Sequence, residues 1–328
     1  MVWFRKWPET TGAPSGGRWR RAAALAAGAA MVAAVAGCST STTPPGGSST
    51  AASGSATKIT VVAAENFWGS IATQLGGEHA SVSSILTNPD ADPHSYEATP
   101  ADGRAIASAQ YVIVNGAGYD PWAPKLIDAD PNPQRTVLTV GDLVGVTDGG
   151  NPHRWYSPEN VHQVIEQITA DYKKIDPADA GYFDQQKQTF QTQTLAPYNQ
   201  LISDIKAHYA GTAIGASESI VTPLAQGLGL RMLTPESFLD AISEGSDPTV
   251  ADKATVDAQI TGKQIKIYVY NSQNSTPDVA AQVDEANKAG IPVATVTETL
   301  TPAGSTFQDW QVAQLHGIEQ ALAQATGR

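Results

Sequence analysis

The chain has one cysteine, Cys38, in 328 residues. No disulfide can close within it and no thiolate zinc centre can form, so any bound metal must be held by His, Asp and Glu. Positive charge is also scarce. There are 20 Lys and Arg against 32 Asp and Glu, a net charge of -12, which excludes the basic surface that a nucleic-acid backbone selects. An acidic surface suits a protein that attracts cations, and equally one that is merely soluble. Three catalytic signatures are missing as well: the H-E-x-x-H helix of metalloproteases, the G-x-S-x-G nucleophile elbow and the Walker phosphate loop. The alanine-rich apolar run from Ala22 to Ala36 falls short of the roughly twenty residues that span a bilayer.

What is present begins with an address. Arg18, Arg20 and Arg21 precede that apolar run, in the order of a secretory signal. The run ends in Val35-Ala36-Gly37-Cys38, which resembles the lipobox of bacterial lipoproteins, where the cysteine is acylated and becomes the mature N-terminus. The expectation is a signal peptide over 1–37, lipid on Cys38 and an extracytoplasmic, membrane-anchored protein. Cleavage would remove Arg5, Lys6, Arg18, Arg20, Arg21 and Glu9, leaving 15 basic and 31 acidic residues. Residues 38–57 are mostly Ser, Thr, Gly, Ala and Pro, too poor in apolar side chains to fold, and read as a flexible tether.

From Lys58 onward the pattern alternates. Strands are expected at Lys58–Ala64, Ala80–Leu86 and Tyr111–Asn115, with a helix over Asn66–Leu75 and another opened by Thr99-Pro100. The stretch from Pro158 to Ala210 is helical and polar with no strand, and Pro177 and Pro197 bound or kink it. Strands resume at Thr212–Ala216, Lys266–Tyr270 and Pro292–Val296. The fold class read from this is α/β: two lobes with parallel sheets, an N-terminal lobe over 58–170, a long helix over 171–210 and a C-terminal lobe over 211–328. Ligands of open α/β sheets sit at the carboxyl ends of strands, so two such lobes leave a cleft between them.

Two Pro-His loops stand out. His94 lies in NPDADPHSYEAT, after a strand, and His153 lies in NPHRWYSPEN, just before a helix start. Imidazole is a metal ligand, although a single loop histidine is as readily a surface residue. Glu218, in ASES before an apolar run, also fits an acidic helix start.

The segments AENFWGSIATQLGG (64–77), DPHSYEATPAD (92–102), YVIVNGAGYDPW (111–122), NPHRWYSPENV (151–161) and TETLTPAGSTFQDW (297–310) resemble the zinc/manganese solute-binding lipoproteins of bacterial ABC importers, in that family's order and spacing. The resemblance implies two α/β lobes joined by one long linking helix, with the metal in the interlobe cleft. It implies four ligands, which map onto His94, His153, Glu218 and Glu298. Glu298 stands where Asp is common, and Asp309 is the fallback. A histidine-rich loop, frequent in zinc members, is absent here, because residues 95–152 contain no histidine. The ligand expected is zinc or manganese, the partner an ABC-importer permease, and the protein a monomer that is not an enzyme. A surface adhesin and an extracytoplasmic metal-dependent hydrolase are the other readings.

Overall fold

The computed structural model describes residues 57–89 and 96–328. Strand β1 (Ile59–Glu65) is apolar and buried along nearly its whole length, as a strand covered on both faces must be. Helix α1 (Asn66–Gly76) buries Phe67, Trp68, Ile71, Ala72 and Leu75 on one stripe. A short 3-10 turn, Gly77–His79, leads into β2 (Ala80–Leu86). Helix α2 (Pro100–Ser108) starts on Thr99, whose hydroxyl accepts from the Asp102 amide while the Asp102 carboxylate accepts from the Thr99 amide. Then come β3 (Tyr111–Val114), α3 (Trp122–Ala129), β4 (Thr136–Thr139) and α4 (Val140–Val144). The four strands form a parallel sheet in the order β2-β1-β3-β4.

Three helices lead to the second half: α5 (Pro158–Ile175), α6 (Ala180–Thr189) and α7 (Ala196–Tyr209), with a π turn at Phe190–Thr194 between the last two. The stretch 171–210, expected as one linking helix, is therefore divided. Its first residues complete α5, which stops at Asp176 because Pro177 follows. Pro197 sits in the first turn of α7, where its missing N–H costs nothing. Helix α6 packs on α1 and α5, and α7 on α8 and α12, so the π turn lies where the chain passes from one sheet's helices to the other's.

The second sheet repeats the first. It comprises β5 (Ala213–Ala216), α8 (Val221–Leu228), β6 (Arg231–Met232), α9 (Glu236–Ser243), α10 (Val250–Thr261), β7 (Ile267–Asn271), α11 (Pro277–Ala289), β8 (Val293–Val296) and α12 (Phe307–Thr326). The strand order is β6-β5-β7-β8, again all parallel. In each sheet the chain turns first to one side and then to the other, which places a switch point between β1 and β3 and another between β5 and β7. Among the described residues no helix is long and apolar enough to cross a membrane.

Candidate functional site

The site is built where the carboxyl ends of the two sheets meet. Asn115 follows β3. Its side-chain oxygen accepts from Trp68 Nε1 at 3.1 Å, and its Nδ2 donates to the Pro152 carbonyl at 2.9 Å, so it fastens the loop that carries His153. The turn beyond it, Gly116-Ala117-Gly118, has positive φ throughout (69°, 53° and 80°). A side chain at Gly116 would also stand 2.5 Å from Thr139 Cγ2. The turn presents Tyr119 inward and lets Asp120 accept from the Asn115 and Gly116 amides, both at 2.8 Å.

His153 is fully buried. Its backbone N–H and its ring Nδ1 both lie 3.0 Å from Asn151 Oδ1. The Asn151 amide is oriented from both ends, because its Nδ2 donates to the Ser219 carbonyl at 2.7 Å. Its Oδ1 can only accept, so Nδ1 carries the proton and the lone pair of the neutral ring lies on Nε2. Asn151 thereby ties this loop to the end of β5 in the opposite sheet.

Glu218 follows β5, and Glu298 follows β8. Both are buried. Asn271, the last residue of β7, donates from Nδ2 to Glu218 Oε1 at 2.5 Å and to Glu298 Oε1 at 3.0 Å. Asn274 Nδ2 reaches Glu218 Oε2 at 2.7 Å. Tyr119, from the other sheet, donates its hydroxyl to Glu298 Oε2 at 3.0 Å. The Glu298 amide donates to Gln273 Oε1 at 2.6 Å, and Gln273 Nε2 reaches the Pro89 carbonyl. The Tyr119 ring meets the His153 ring edge-on at 6.0 Å. His153, Glu218 and Glu298 are thus drawn into one buried cluster by Asn151, Asn271 and Tyr119.

Burial and the neighbouring Glu298 and Glu65 carboxyls hold the Tyr119 phenol well above its ordinary value, so it remains an O–H donor. Behind it, Glu65 closes β1. Neither of its oxygens has an N–H or O–H donor among the described residues. Burial, and then the charge of Asp120, push its pKa well up. Burial raises the Asp120 carboxyl as well, and the Gly116 and Asn115 amides pull it back down, so Glu65, which lacks those two amides, is the better placed of the two to hold a proton.

A cleft of about 240 Å³ opens beside Asn151, His153 and Ser219 and is lined further by Glu236, Asp240 and Glu244. Burial raises the Asp240 pKa, and the charges of Glu236 and Glu244 raise it further. The approach to His153 is therefore strongly anionic.

Of the residues singled out in the sequence, His94 and Cys38 lie outside the described residues. Asp309 is exposed in the first turn of α12, where its carboxylate accepts from Thr306 Oγ1 at 2.7 Å; it is not among the residues that surround Glu298. Asn151, Asn271, Asn274, Tyr119 and Glu65 were not read from the sequence as part of a site. The signal that could have found them is position, because Glu65, Asn115 and Asn271 all end or follow the strands that flank a switch point.

Residues 61–321 match the family model described as zinc-uptake complex component A, periplasmic. The chain belongs to that family. It is 27% identical over 224 residues to the iron-binding protein YfeA of Yersinia pestis, covering 62% of this chain and 71% of that protein. It is 29% identical over 128 residues to the manganese-binding lipoprotein MntA of Halalkalibacterium halodurans, a match to 38% of this chain and 42% of that one. The solved structure of a manganese-bound periplasmic metal binding protein from Candidatus Liberibacter asiaticus shares the fold, with a TM-score of 0.67 at 20% identity, covering 81% of this chain and 100% of the other. The zinc-uptake family thus accounts for both sheets and for the helices between them.

Proposed function

We propose that the protein is an extracytoplasmic substrate-binding protein that captures a divalent transition metal ion, zinc or manganese, in the cleft and delivers it to the permease of an ABC importer. His153, Glu218, Glu298 and His94 are the proposed ligands. The observation that carries the reading is the pair of buried carboxylates, Glu218 and Glu298, bridged by the single amide of Asn271. Two carboxylates out of water repel one another and need a cation or several donors nearby. Imidazole with carboxylates is a donor set for zinc, iron or manganese rather than calcium or magnesium. The iron-binding and manganese-binding relatives carry names that belong to the same class of cargo.

The lobe partition at 58–170, 171–210 and 211–328 belongs to this reading, as do the lipid on Cys38 and the monomeric state. Capture needs no substrate position on the ion, so all four proposed ligands can come from the protein. The test is a zinc and manganese titration of the metal-stripped protein beside Glu218→Gln. A loss greater than the roughly 10–100-fold typical of an outer hydrogen-bond partner supports a direct ligand. Unchanged affinity removes Glu218 from the site. For the anchor, mass analysis of membrane-extracted protein should find a lipid-modified N-terminal Cys38; an unmodified, freely released chain would refute it.

A further inference from the structure

Away from the cleft, one imidazole and two carboxylates converge where α5 gives way to α6. His79 ends the 3-10 turn between α1 and β2, Asp176 caps the carboxyl end of α5, and Asp179 precedes α6. One donor atom from each lies within 4.8 Å of the other two. His79 Nδ1 is 2.8 Å from Asp179 Oδ2, and the two side chains are only 24% and 34% exposed. The imidazole is held against the Tyr182 ring at 4.2 Å and edge-on to Phe183 at 6.0 Å. Tyr182 is itself fixed by the Glu78 amide, which donates to its hydroxyl at 2.9 Å.

The electrostatics of this joint are unbalanced. Asp176 sits at the carboxyl end of an eighteen-residue helix, where the aligned peptide dipoles already place partial negative charge. Of the two lysines of that last turn, Lys173 is engaged elsewhere, with Asp184 at 2.7 Å. Asp179 does not cap its own helix with its side chain. Among the described residues neither carboxylate has a lysine or arginine partner, so two carboxylates and a helix end face a single imidazole.

We propose that His79, Asp176 and Asp179 form a second metal site, distinct from the cleft, which takes a divalent transition ion of the zinc class. One imidazole nitrogen and two carboxylate oxygens supply three of four positions, and water supplies the fourth. Ligands about 2.0–2.2 Å from zinc lie roughly 3.4 Å apart, so the donors close by small rotations of two partly exposed carboxylates. The ion joins the α1–β2 turn to the α5–α6 turn, two segments 97 residues apart in sequence. It therefore stiffens the point where the helices leading to the second sheet leave the first. The ion takes a lone pair from the neutral ring and stands in place of the direct His79–Asp179 contact. The proposal stands independently of the cleft reading.

The experiment is a zinc titration of the metal-stripped protein with bound metal counted directly, beside His79→Gln, Asp176→Asn and Glu218→Gln. The expected result is two equivalents in the parent and one in His79→Gln, with the event that remains being the one Glu218→Gln weakens. Asp176→Asn keeps the ring packing intact and should lose the same equivalent, which guards against misfolding of the His79 variant. Hydrogen exchange should slow at 77–80 and 176–182 when the second equivalent is added to the parent, and not in either variant. An equal number of equivalents in the parent and in both joint variants, or exchange at those segments unmoved by zinc, would overturn the proposal. A single equivalent in the parent that is lost in both joint variants and untouched by Glu218→Gln would count against the cleft reading and leave this one standing.

Discussion

Single side chains in the cleft do work that charge alone makes necessary. Asn271 donates to both Glu218 and Glu298, so removing its amide leaves two buried carboxylates opposed. Asn271→Leu is expected to cost the metal-free protein about 1–3 kcal/mol. It should cost the metal-loaded protein less, because the ion replaces the lost donor. Thermal melts with and without zinc check this: the metal-induced rise in Tm should be larger in the variant than in the parent. Asn151→Ala removes one hydrogen bond from the His153 ring and cuts the tie to Ser219, and is expected to weaken metal binding by roughly 10–100-fold. Glu65 gives a pH signature. Its folded pKa lies above its unfolded value, chiefly through burial, so folding takes up a proton between the two. The stability from this source is complete below the unfolded carboxyl value near 4.3 and is lost as pH rises through the folded one. Glu65→Gln should therefore have a flatter Tm–pH profile than the parent, and should gain on it as pH rises; parallel profiles would contradict the assignment.

Elements hold these side chains where the chemistry needs them, and their legibility in the sequence was uneven. The central strands β1, β3, β5 and β7 were readable as short apolar runs, because a strand buried on both faces has little room for polar residues, and β2 and β8 marked one edge of each sheet as well. The opposite edges, β4 and β6, were not. Val137 in β4 is 41% exposed, and β6 has only two residues, so neither shows a run or an alternation. The break between α5 and α6 was signalled by Pro177, but the π turn at Phe190–Thr194 has no sequence mark, since Gly and Pro are both absent from it. His153 was legible from its Pro-His loop, whereas Glu218 was legible as a site residue only with the family resemblance beside it. The amides that orient them were not, because Asn at a strand end is as often a turn former as a site residue. Gly116 is where an element's shape matters most. Its positive φ and its contact with Thr139 leave no room for a side chain. Gly116→Ala should destabilise the fold by about 1–3 kcal/mol in urea melts and displace Tyr119 from Glu298.

Among the described residues, two parallel sheets of the same winding bring their carboxyl ends together, and the residues of the cluster come from five strand ends and one Pro-His loop. The chain's net charge of -12 and the acidic lining of Glu236, Asp240 and Glu244 beside His153 favour approach of a cation. The association rate of zinc should fall as salt rises, and Glu236→Gln with Glu244→Gln should lower that rate while leaving dissociation nearly unchanged.

The central claim is that His153 and Glu218, from opposite sheets, bind one metal ion together. Its most direct test is calorimetric titration of the metal-stripped protein with zinc and manganese, beside His153→Gln and Glu218→Gln, with folding of each variant checked by circular dichroism. The account predicts one tight cleft event in the parent for at least one of the two ions, weakened by more than about 100-fold in each variant. A tight event that survives unchanged in both folded variants would contradict it.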